Sequence, residues 1–166
     1  MMRVGMGYDV HPLVPGIPCV IGGVKIPHDK GLKGYSDGDV LLHAISDALL
    51  GAIGGGDIGR HFREGDPRWK GISSLKLLEI VSRMLSDKGY RTINCDCVVI
   101  AEAPKIAPYV EEMQKKIARA LFIRPEDINV KGSTNEKIGF IGREEGIAAQ
   151  AVCLVHTPVE EDASNH

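Results

Sequence analysis

The sequence lacks the features that would take a protein to a membrane or to nucleic acid. Its formal net charge is only −2 over 166 residues, so it carries no basic field of the kind that attracts nucleic acid or anionic lipid. No apolar run reaches the ~20 residues that cross a bilayer, and residues 1–14 lack the basic and then apolar profile of a secretory signal. We therefore expect a soluble, cytoplasmic protein with no nucleic-acid or membrane partner.

The cysteines are too few and too irregularly spaced for a disulfide framework. There are four, without a C-x-x-C pair, and they lie inside apolar stretches, at Cys19, Cys95, Cys97 and Cys153. Neither a set of disulfides nor a thiolate zinc site is favoured by this pattern. Cys95 and Cys97 share one face of a predicted strand, and we interpret all four as small buried hydrophobic residues.

Length and composition predict one domain, spanning residues 1–158. A chain of 166 residues with 43% hydrophobic residues can bury a single core of roughly two-thirds of its unfolded surface. Residues 159–166 are polar, and we expect a disordered tail there. No internal repeat or linker divides the rest.

Hydrophobic periodicity predicts an α+β sandwich, with a mixed β-sheet and helices on one face. A helix is expected over 39–53, where apolar residues recur at helical spacing and Ser36 with Asp39 forms a Ser-x-x-Asp start signal. Gly89 closes the second helix, and Pro108 opens the third. The predicted strands are 5–10, 18–26, 92–101, 128–131 and 147–155, and the other helices are 73–88 and 108–122.

Three residues have the chemistry of a metal site. Asp9 and His11 are two apart at the end of a predicted strand, so their side chains project from the same face. His43 sits in the first turns of the helix at 39–53, among apolar neighbours. One carboxylate and two imidazoles are the donor set of a catalytic zinc site that keeps a position for substrate. Spacing alone also fits a chance pair and a satisfied core histidine.

The Gly-rich, charged segment at 54–71 is expected to be a mobile functional loop. Glycines at 54, 56 and 59 satisfy the G-x-G-x-x-G spacing of dinucleotide-binding folds. They follow a helix and not a strand, however, and open no helix, so we reject that interpretation. The glycines can instead let Asp57 approach a polyol hydroxyl, although a solvated connector remains an alternative.

A second polar group follows the strand at 128–131. Two hydroxyls, a carboxylate and an ammonium fall within residues 132–137, which suits a diphosphate and a divalent cation. The spacing is not that of a Walker A loop, and a solvated turn is also compatible with it. Residues 101–105 leave another strand and turn at Pro104. The exposed backbone groups of this segment could contact the edge of a base, but the segment also fits an ordinary loop.

Read together, five motifs resemble the methylerythritol cyclodiphosphate synthases over residues 3–156. In chain order they are Tyr8-Asp9-Val10-His11-Pro12-Leu13, Ser36-Asp37-Gly38-Asp39 through His43, Gly56-Asp57-Ile58-Gly59, Ala103-Pro104-Lys105, and Glu136-Lys137-Ile138-Gly139-Phe140-Ile141-Gly142-Arg143. Five motifs in order are far more specific than any one of them.

The resemblance implies a homotrimer with active sites at subunit interfaces and a cytidine diphosphate substrate, 4-diphosphocytidyl-2-C-methyl-D-erythritol 2-phosphate. Its 2-phosphate attacks the β-phosphate, CMP leaves, and 2-C-methyl-D-erythritol 2,4-cyclodiphosphate forms. By position, Asp9, His11 and His43 would bind Zn²⁺, and Glu136 would hold Mg²⁺ or Mn²⁺ with the substrate phosphates. Such a reaction depends on charge neutralisation and positioning more than on a strong base.

The resemblance also implies the remaining site residues. Thr134 and Tyr35 would stand at the reacting phosphates, with Ser133 as a further phosphate contact, and Asp57 and Gly59 would contact erythritol hydroxyls. Phe140 and Arg143 would lie near the trimer axis, where some members bind isoprenoid diphosphates. The other substrate contacts would be Asp9, His11, Ser36, Ile58, Phe62, Arg63, Glu64, Gly65, Asp66, Ala101, Glu102, Ala103, Pro104, Lys105, Ile106, Ala107, Asn135 and Glu136.

One residue departs from the family pattern. The family usually has His before Ser-Asp-Gly-Asp, and this chain has Tyr35. A tyrosine hydroxyl donates one neutral hydrogen bond but cannot carry the positive charge of an imidazolium. We expect an active enzyme with an altered loop.

Two other functions fit parts of the pattern. A metal-dependent phosphohydrolase would use similar donors but direct water at phosphorus, and it would release inorganic phosphate. A trimeric, zinc-stabilised binding module for nucleotides or isoprenoid diphosphates would have a closed metal site and no turnover. Product analysis separates the first from a synthase, and loss of turnover in a His43 variant that keeps its assembly would reject the second.

Overall fold

A computed structural model describes residues 1–157, so the predicted tail at 159–166 lies outside the described residues. Its seven strands are β1 (Met2–Pro15), β2 (Cys19–Ile21), β3 (Val24–Ile26), β4 (Lys30–Leu32), β5 (Arg91–Ile100), β6 (Ile128–Ser133) and β7 (Gly146–His156). Five of them form one sheet in the order β4-β1-β7-β5-β6, and β2 pairs with β3. Only the β5–β6 pair in that sheet is parallel, which confirms the predicted mixed sheet.

Two strand predictions were wrong in extent. The first strand is not limited to 5–10, because residues 2–12 of β1 pair continuously with β7 and residues 13–15 pair with β4. The stretch at 18–26 is not one strand but the hairpin of β2 and β3. Its turn is Gly22-Gly23, whose φ angles of 61° and 74° lie in the left-handed region that glycine adopts at little cost.

The helices are α1 (Val40–Ala52), α2 (Ile58–His61), α3 (Ser74–Asp87), α4 (Val110–Leu121) and α5 (Gly139–Gly142). The helix begins at the predicted Ser-x-x-Asp signal, where Asp39 is the capping residue and accepts the Leu42 N–H at 3.1 Å. Gly89 ends α3 as predicted, at φ 76°, with the Tyr90 N–H bonded to the Leu85 carbonyl at 2.9 Å. A short 3-10 turn around Pro108 precedes α4.

The long helices cover one face of the sheet and leave the other face open. Along β1 the helix-facing residues Gly5, Gly7 and Leu13 are buried and Asp9 and His11 are half-buried, whereas the alternate residues from Met2 to Pro12 are exposed. The open face is largely apolar along β1: the exposed large hydrophobic residues of β1 and β7 on it are Met2, Val4, Met6, Tyr8, Val10 and Val152, with the exposed Gln150 beside Tyr8. A contiguous apolar face of this kind marks an interaction surface.

The core confirms the interpretation of the cysteines. All four are buried and unbridged, and burial raises the pKa of the Cys19 thiol to about 11. Within residues 1–157, no helix combines the length and the apolar character that a bilayer-spanning segment needs.

Candidate metal centre and substrate cavities

The metal group depends on an unusually close contact between β1 and α1. Gly5 and Gly7 face the helix, and a Cβ built on them would lie 1.8 Å from the carbonyl oxygen of Ala48 and 1.9 Å from that of Ala44. Only glycine at these two positions of the strand permits this separation, because the atoms that a Cβ would meet belong to the backbone of α1. The next inward residues of β1 are Asp9 and His11, so the same contact brings them to His43.

The predicted donors lie together, as the sequence indicated. Asp9 Oδ2 is 2.8 Å from His11 Nε2 and 3.0 Å from His43 Nδ1, and those two nitrogens are 3.0 Å apart. The three residues form a group that can hold a metal ion. His43 is buried, whereas Asp9 and His11 are partly accessible from the cavity beside them.

The hydrogen bond of His11 fixes which of its nitrogens faces the group. Its Nδ1 lies 2.9 Å from the Lys33 carbonyl oxygen. A carbonyl can only accept, so Nδ1 carries the proton and Nε2 presents its lone pair towards Asp9 and His43 when the ring is neutral. This is the arrangement of a metal-ligating histidine held by an outer partner.

Electrostatics favours a charged Asp9. Burial opposes its ionisation, but the hydrogen bonds of His11 and His43 lower the pKa of Asp9 to about 2. Burial likewise opposes protonation of His11, but the hydrogen bond and the charge of Asp9 raise the pKa of His11 overall. The group therefore keeps an ionised carboxylate beside the two histidines.

The donor set fits a tetrahedral cation. Ligands held about 2.0–2.1 Å from zinc in a tetrahedral arrangement stand about 3.3 Å from one another, close to the 2.8–3.0 Å found here. Two nitrogens and one carboxylate oxygen leave one coordination position for a substrate oxygen.

A cavity of about 180 Å³ opens beside the metal group. Nine residues predicted to contact metal or substrate line it, together with two residues that the sequence did not suggest. The predicted ones are Asp9, His11, Tyr35, Ser36, His43, Ile58, Gly59, Phe62 and Glu64, and the additional ones are Trp69 and Leu77. Arg63 and Gly65 are exposed and lie outside its lining.

Three hydrogen bonds hold the loop at residues 57–66, which borders this cavity. Asp47, one turn after His43 on α1, accepts the Ile58 N–H at 2.7 Å, and burial raises the pKa of Asp47. Asp57 caps α2 through the Arg60 N–H at 3.0 Å. The Tyr35 hydroxyl donates to the Asp66 carbonyl at 3.1 Å. This hydroxyl is therefore used to hold the loop.

Tyr35, Asp47 and Trp69 differ in how well the sequence indicated their roles. Tyr35 was predicted at the phosphates, and nothing in its local pattern indicated the bond to Asp66. Trp69 packs edge-on against Phe62, with ring centroids 5.1 Å apart. The available signals were the position of Asp47 one turn beyond His43 and the uniqueness of Trp69 in the chain.

The predicted nucleotide segment forms a second cavity, of about 260 Å³. It is lined by Ala101, Glu102, Pro104, Lys105, Ile106, Ala107, Gly132, Ser133 and Thr134. The Glu102 carboxylate accepts the backbone N–H of Asn135 at 2.9 Å and that of Lys137 at 3.1 Å, which holds the 134–137 turn against this segment. Of the predicted nucleotide segment, Ala103 alone does not line it.

The remaining predicted residues lie beside this cavity or beyond it. Glu136 accepts a hydrogen bond from Thr134 Oγ1 at 3.1 Å, and no group of three metal donors within residues 1–157 includes it. Phe140 lies in α5 and is exposed. Arg143 follows that helix and pairs with Glu145 at 2.8 Å.

The two cavities lie at one end of the sheet but on different strands. Asp9 of β1 is level with Ala149 of β7, then with Val99 of β5 and Gly132 of β6. Three strand spacings of about 4.8 Å put about 14 Å between the rows that carry the two sites. The metal group and the residues 132–134 that line the second cavity therefore lie on well separated rows of one chain.

Comparisons with known proteins agree with this geometry. The model of the YgbB family matches residues 2–156. A relative from Pelotomaculum thermopropionicum, named 2-C-methyl-D-erythritol 2,4-cyclodiphosphate synthase, is 60% identical over 93% of this chain and 96% of its own. The bifunctional IspDF of Campylobacter jejuni gives a TM-score of 0.90 at 40% identity, over 93% of this chain and 42% of that one. IspF of Plasmodium falciparum, as a CDP complex, gives 0.82 at 34% identity, over 94% and 96%.

Proposed function

This chain belongs to the YgbB family, and from that premise we propose how its two groups of side chains carry out one reaction. The enzyme converts 4-diphosphocytidyl-2-C-methyl-D-erythritol 2-phosphate to 2-C-methyl-D-erythritol 2,4-cyclodiphosphate and releases CMP, in the non-mevalonate route to isoprenoids. The observation that carries the proposal is the group of Asp9, His11 and His43 at the mouth of a cavity in a chain of this family.

Asp9, His11 and His43 hold Zn²⁺ in this proposal. Their donor types and separations suit it, and a softer thiolate set is not involved because all four cysteines are buried elsewhere. When bound, the ion supplies Lewis acidity to an oxygen of the β-phosphate. The protein's part is to fix three donors and leave the cavity side open.

The nucleotide end of the substrate is assigned to the second cavity. Backbone groups of the 101–107 segment face the cytosine, and the hydroxyls of Ser133 and Thr134 donate to phosphate oxygens. Glu136 holds Mg²⁺ or Mn²⁺ together with those phosphates. Support comes from the shared cavity of these residues and from the CDP complex of the Plasmodium falciparum relative.

The erythritol end is assigned to the first cavity. Asp57 and Gly59 contact its hydroxyls, while Ile58 and residues 62–66 border it. Tyr35 and Ser36 close the side next to the metal group. Held in this way, the 2-phosphate is presented in line with the β-phosphorus, so that a new P–O bond forms as the bond to the CMP oxygen breaks.

A homotrimer joins the two cavities in this proposal. The apolar face of β1 and β7 gives the contact surface, and the separation of about 14 Å between the two rows is consistent with a site built from two subunits. Phe140 and Arg143 then lie towards the trimer axis.

Product analysis tests the proposal. Purified protein with Zn²⁺, Mg²⁺ and the phosphorylated cytidyl substrate is expected to yield a cyclic diphosphate and CMP in phosphorus NMR. The matched control is His43→Ala, which should lose turnover while keeping its assembly state. Release of inorganic phosphate by the wild-type protein would instead indicate a phosphohydrolase, and unchanged turnover in His43→Ala would reject the metal assignment.

A further inference from the structure

The second nitrogen of His43 points away from the metal group, towards the start of α3. His43 Nε2 lies 2.9 Å from the Ser36 hydroxyl and 2.9 Å from the Ser74 hydroxyl. The His43 and Ser74 residues are only 6% and 0% exposed. In such a buried position the polar atom must be satisfied by these hydroxyls and not by solvent.

Asp37 determines the direction of the hydrogen bond between Ser74 and His43. The Ser74 hydroxyl contacts Asp37 Oδ1, and the Ser74 N–H donates to Asp37 Oδ2 at 2.9 Å. A carboxylate only accepts, and a hydroxyl has one hydrogen to give. Ser74 therefore donates to Asp37, and its oxygen is left to accept the hydrogen of His43 Nε2.

The position of Asp37 is itself fixed by backbone contacts. Its own N–H donates to the Ile72 carbonyl at 3.1 Å, and its Oδ1 also accepts the Asp39 N–H at 3.2 Å. The carboxylate thus links the segment before α1 to the first turn of α3, where Ser74 is the first helical residue. All of these contacts of Asp37 are made with protein groups and need no bound ion.

We propose that Asp37 and Ser74 are positioning residues for His43: they keep the proton on Nε2 and so present the Nδ1 lone pair to the metal. This inference rests on the proposed function, because the metal is assigned there. In His11, one carbonyl oxygen, that of Lys33, holds the proton on the nitrogen that faces away from the metal group. In His43, a two-step relay does so: Asp37 orients the Ser74 hydroxyl, and Ser74 accepts the hydrogen of His43 Nε2. This relay connects α3 to the metal group.

The consequence is a metal affinity that depends on residues outside the donor set. Without the Ser74 hydroxyl, the Nε2 hydrogen keeps only Ser36, and the ring can adopt the tautomer that points a hydrogen at the metal. Loss of an outer partner of a ligating histidine typically weakens metal binding about 10- to 100-fold. Ser74→Ala should weaken zinc binding by at least about 10-fold.

Competition with a zinc chelator at fixed pH tests the relay in four proteins: wild type, Ser74→Ala, Asp37→Asn and the double variant. Ser82→Ala is the matched control, because Ser82 is a buried serine of the same helix, and it should bind zinc like wild type. The visible absorption of the Co²⁺-loaded proteins reports the geometry at His43 independently. Thermal unfolding of the metal-free forms measures any general loss of stability.

The possible outcomes distinguish the relay from a purely structural role of Asp37 and Ser74, and they test the metal centre separately. If the relay is correct, Asp37→Asn weakens zinc binding in the wild type but adds less than about 2-fold in the Ser74→Ala background, because the two residues act in series. Zinc binding by Ser74→Ala within 2-fold of wild type, or a full additive effect of Asp37→Asn, would overturn the relay alone. A wild-type protein that binds no zinc would refute the proposed metal centre as well.

Discussion

The close contact of β1 with α1 makes Gly7→Ala the most demanding test of the site. The new Cβ would lie 1.9 Å from the Ala44 carbonyl oxygen, whereas Cβ contacts below 3.0 Å essentially do not occur. The strand and the helix must therefore separate by at least about 1.1 Å, the difference between 3.0 and 1.9 Å. Both atoms belong to backbone or are attached directly to it, so no rotamer change relieves the clash.

That displacement is large on the scale of a metal site. Ligand distances tolerate only about 0.2 Å, and a shift of α1 carries His43 away from Asp9 and His11. Overpacking of this kind typically costs about 1–3 kcal/mol, or a fall in melting temperature of roughly 2–12 °C for a chain of this size. We expect Gly7→Ala to fold less stably and to lose stoichiometric zinc.

Gly51→Ala is the matched control. Gly51 lies in α1, the helix that Gly7 contacts, and the nearest atom to its added Cβ is the Met6 carbonyl oxygen at 3.9 Å. Alanine there should leave stability unchanged or raise it by up to about 1 kcal/mol. Melting temperature and bound zinc per chain are measured for both variants. Full zinc occupancy in Gly7→Ala at wild-type stability would refute the argument that this contact sets the metal geometry.

Three further changes test other parts of the molecule. Tyr35→Phe removes the hydrogen bond to the Asp66 carbonyl, which is worth about 0.5–1.5 kcal/mol. This change should raise KM up to about 10-fold with little change in kcat. A fall in kcat alone would instead place the hydroxyl at the phosphates. Met6→Lys puts a charge on the open face of the sheet and should convert the proposed trimer to monomer in light scattering, with Phe122→Lys on another exposed apolar residue as control. An unchanged mass would exclude this face as the interface. In zinc-free protein, the raised pKa of His11 means that its pairing with Asp9 stabilises the fold below pH 6.5 and is lost as pH rises through the raised value. The stability advantage of wild type over Asp9→Asn in urea should therefore shrink from pH 6 to pH 8, and an advantage that grows would contradict the pairing.

Local pattern was enough to predict most of the elements. The apolar spacing around α1, the closing Gly89 of α3 and the alternation along β5 are decided within a few residues, and the structure follows them. The errors occurred where tertiary pairing decides the outcome. β1 extends to Pro15 because β4 pairs with its last residues, and the Gly22-Gly23 turn folds one apolar stretch back on itself.

The metal group shows what spacing can and cannot determine. Asp9 and His11 are fixed by the period of one strand, but His43 is separated from them by more than thirty residues. The available sequence signal was Gly5 and Gly7 on the inward face of β1, because glycine at these positions permits the close packing of a helix. The outer partners of His43 carry no comparable signal, because Asp37 and Ser74 meet only after α3 has packed against α1.

Tyr35 affects both the loop beside the cavity and the charge available in the site. A protonated imidazole at this position could carry positive charge, whereas a tyrosine hydroxyl cannot, and the Tyr35 hydroxyl already donates to the Asp66 carbonyl. In the proposed reaction, charge neutralisation during phosphoryl transfer then comes from the cations and the donors around them. This gives the geometry of His43 more weight in this chain, because no imidazolium at position 35 is available to share the charge. In the proposed reaction, the contribution of Tyr35 is to hold the loop that borders the cavity.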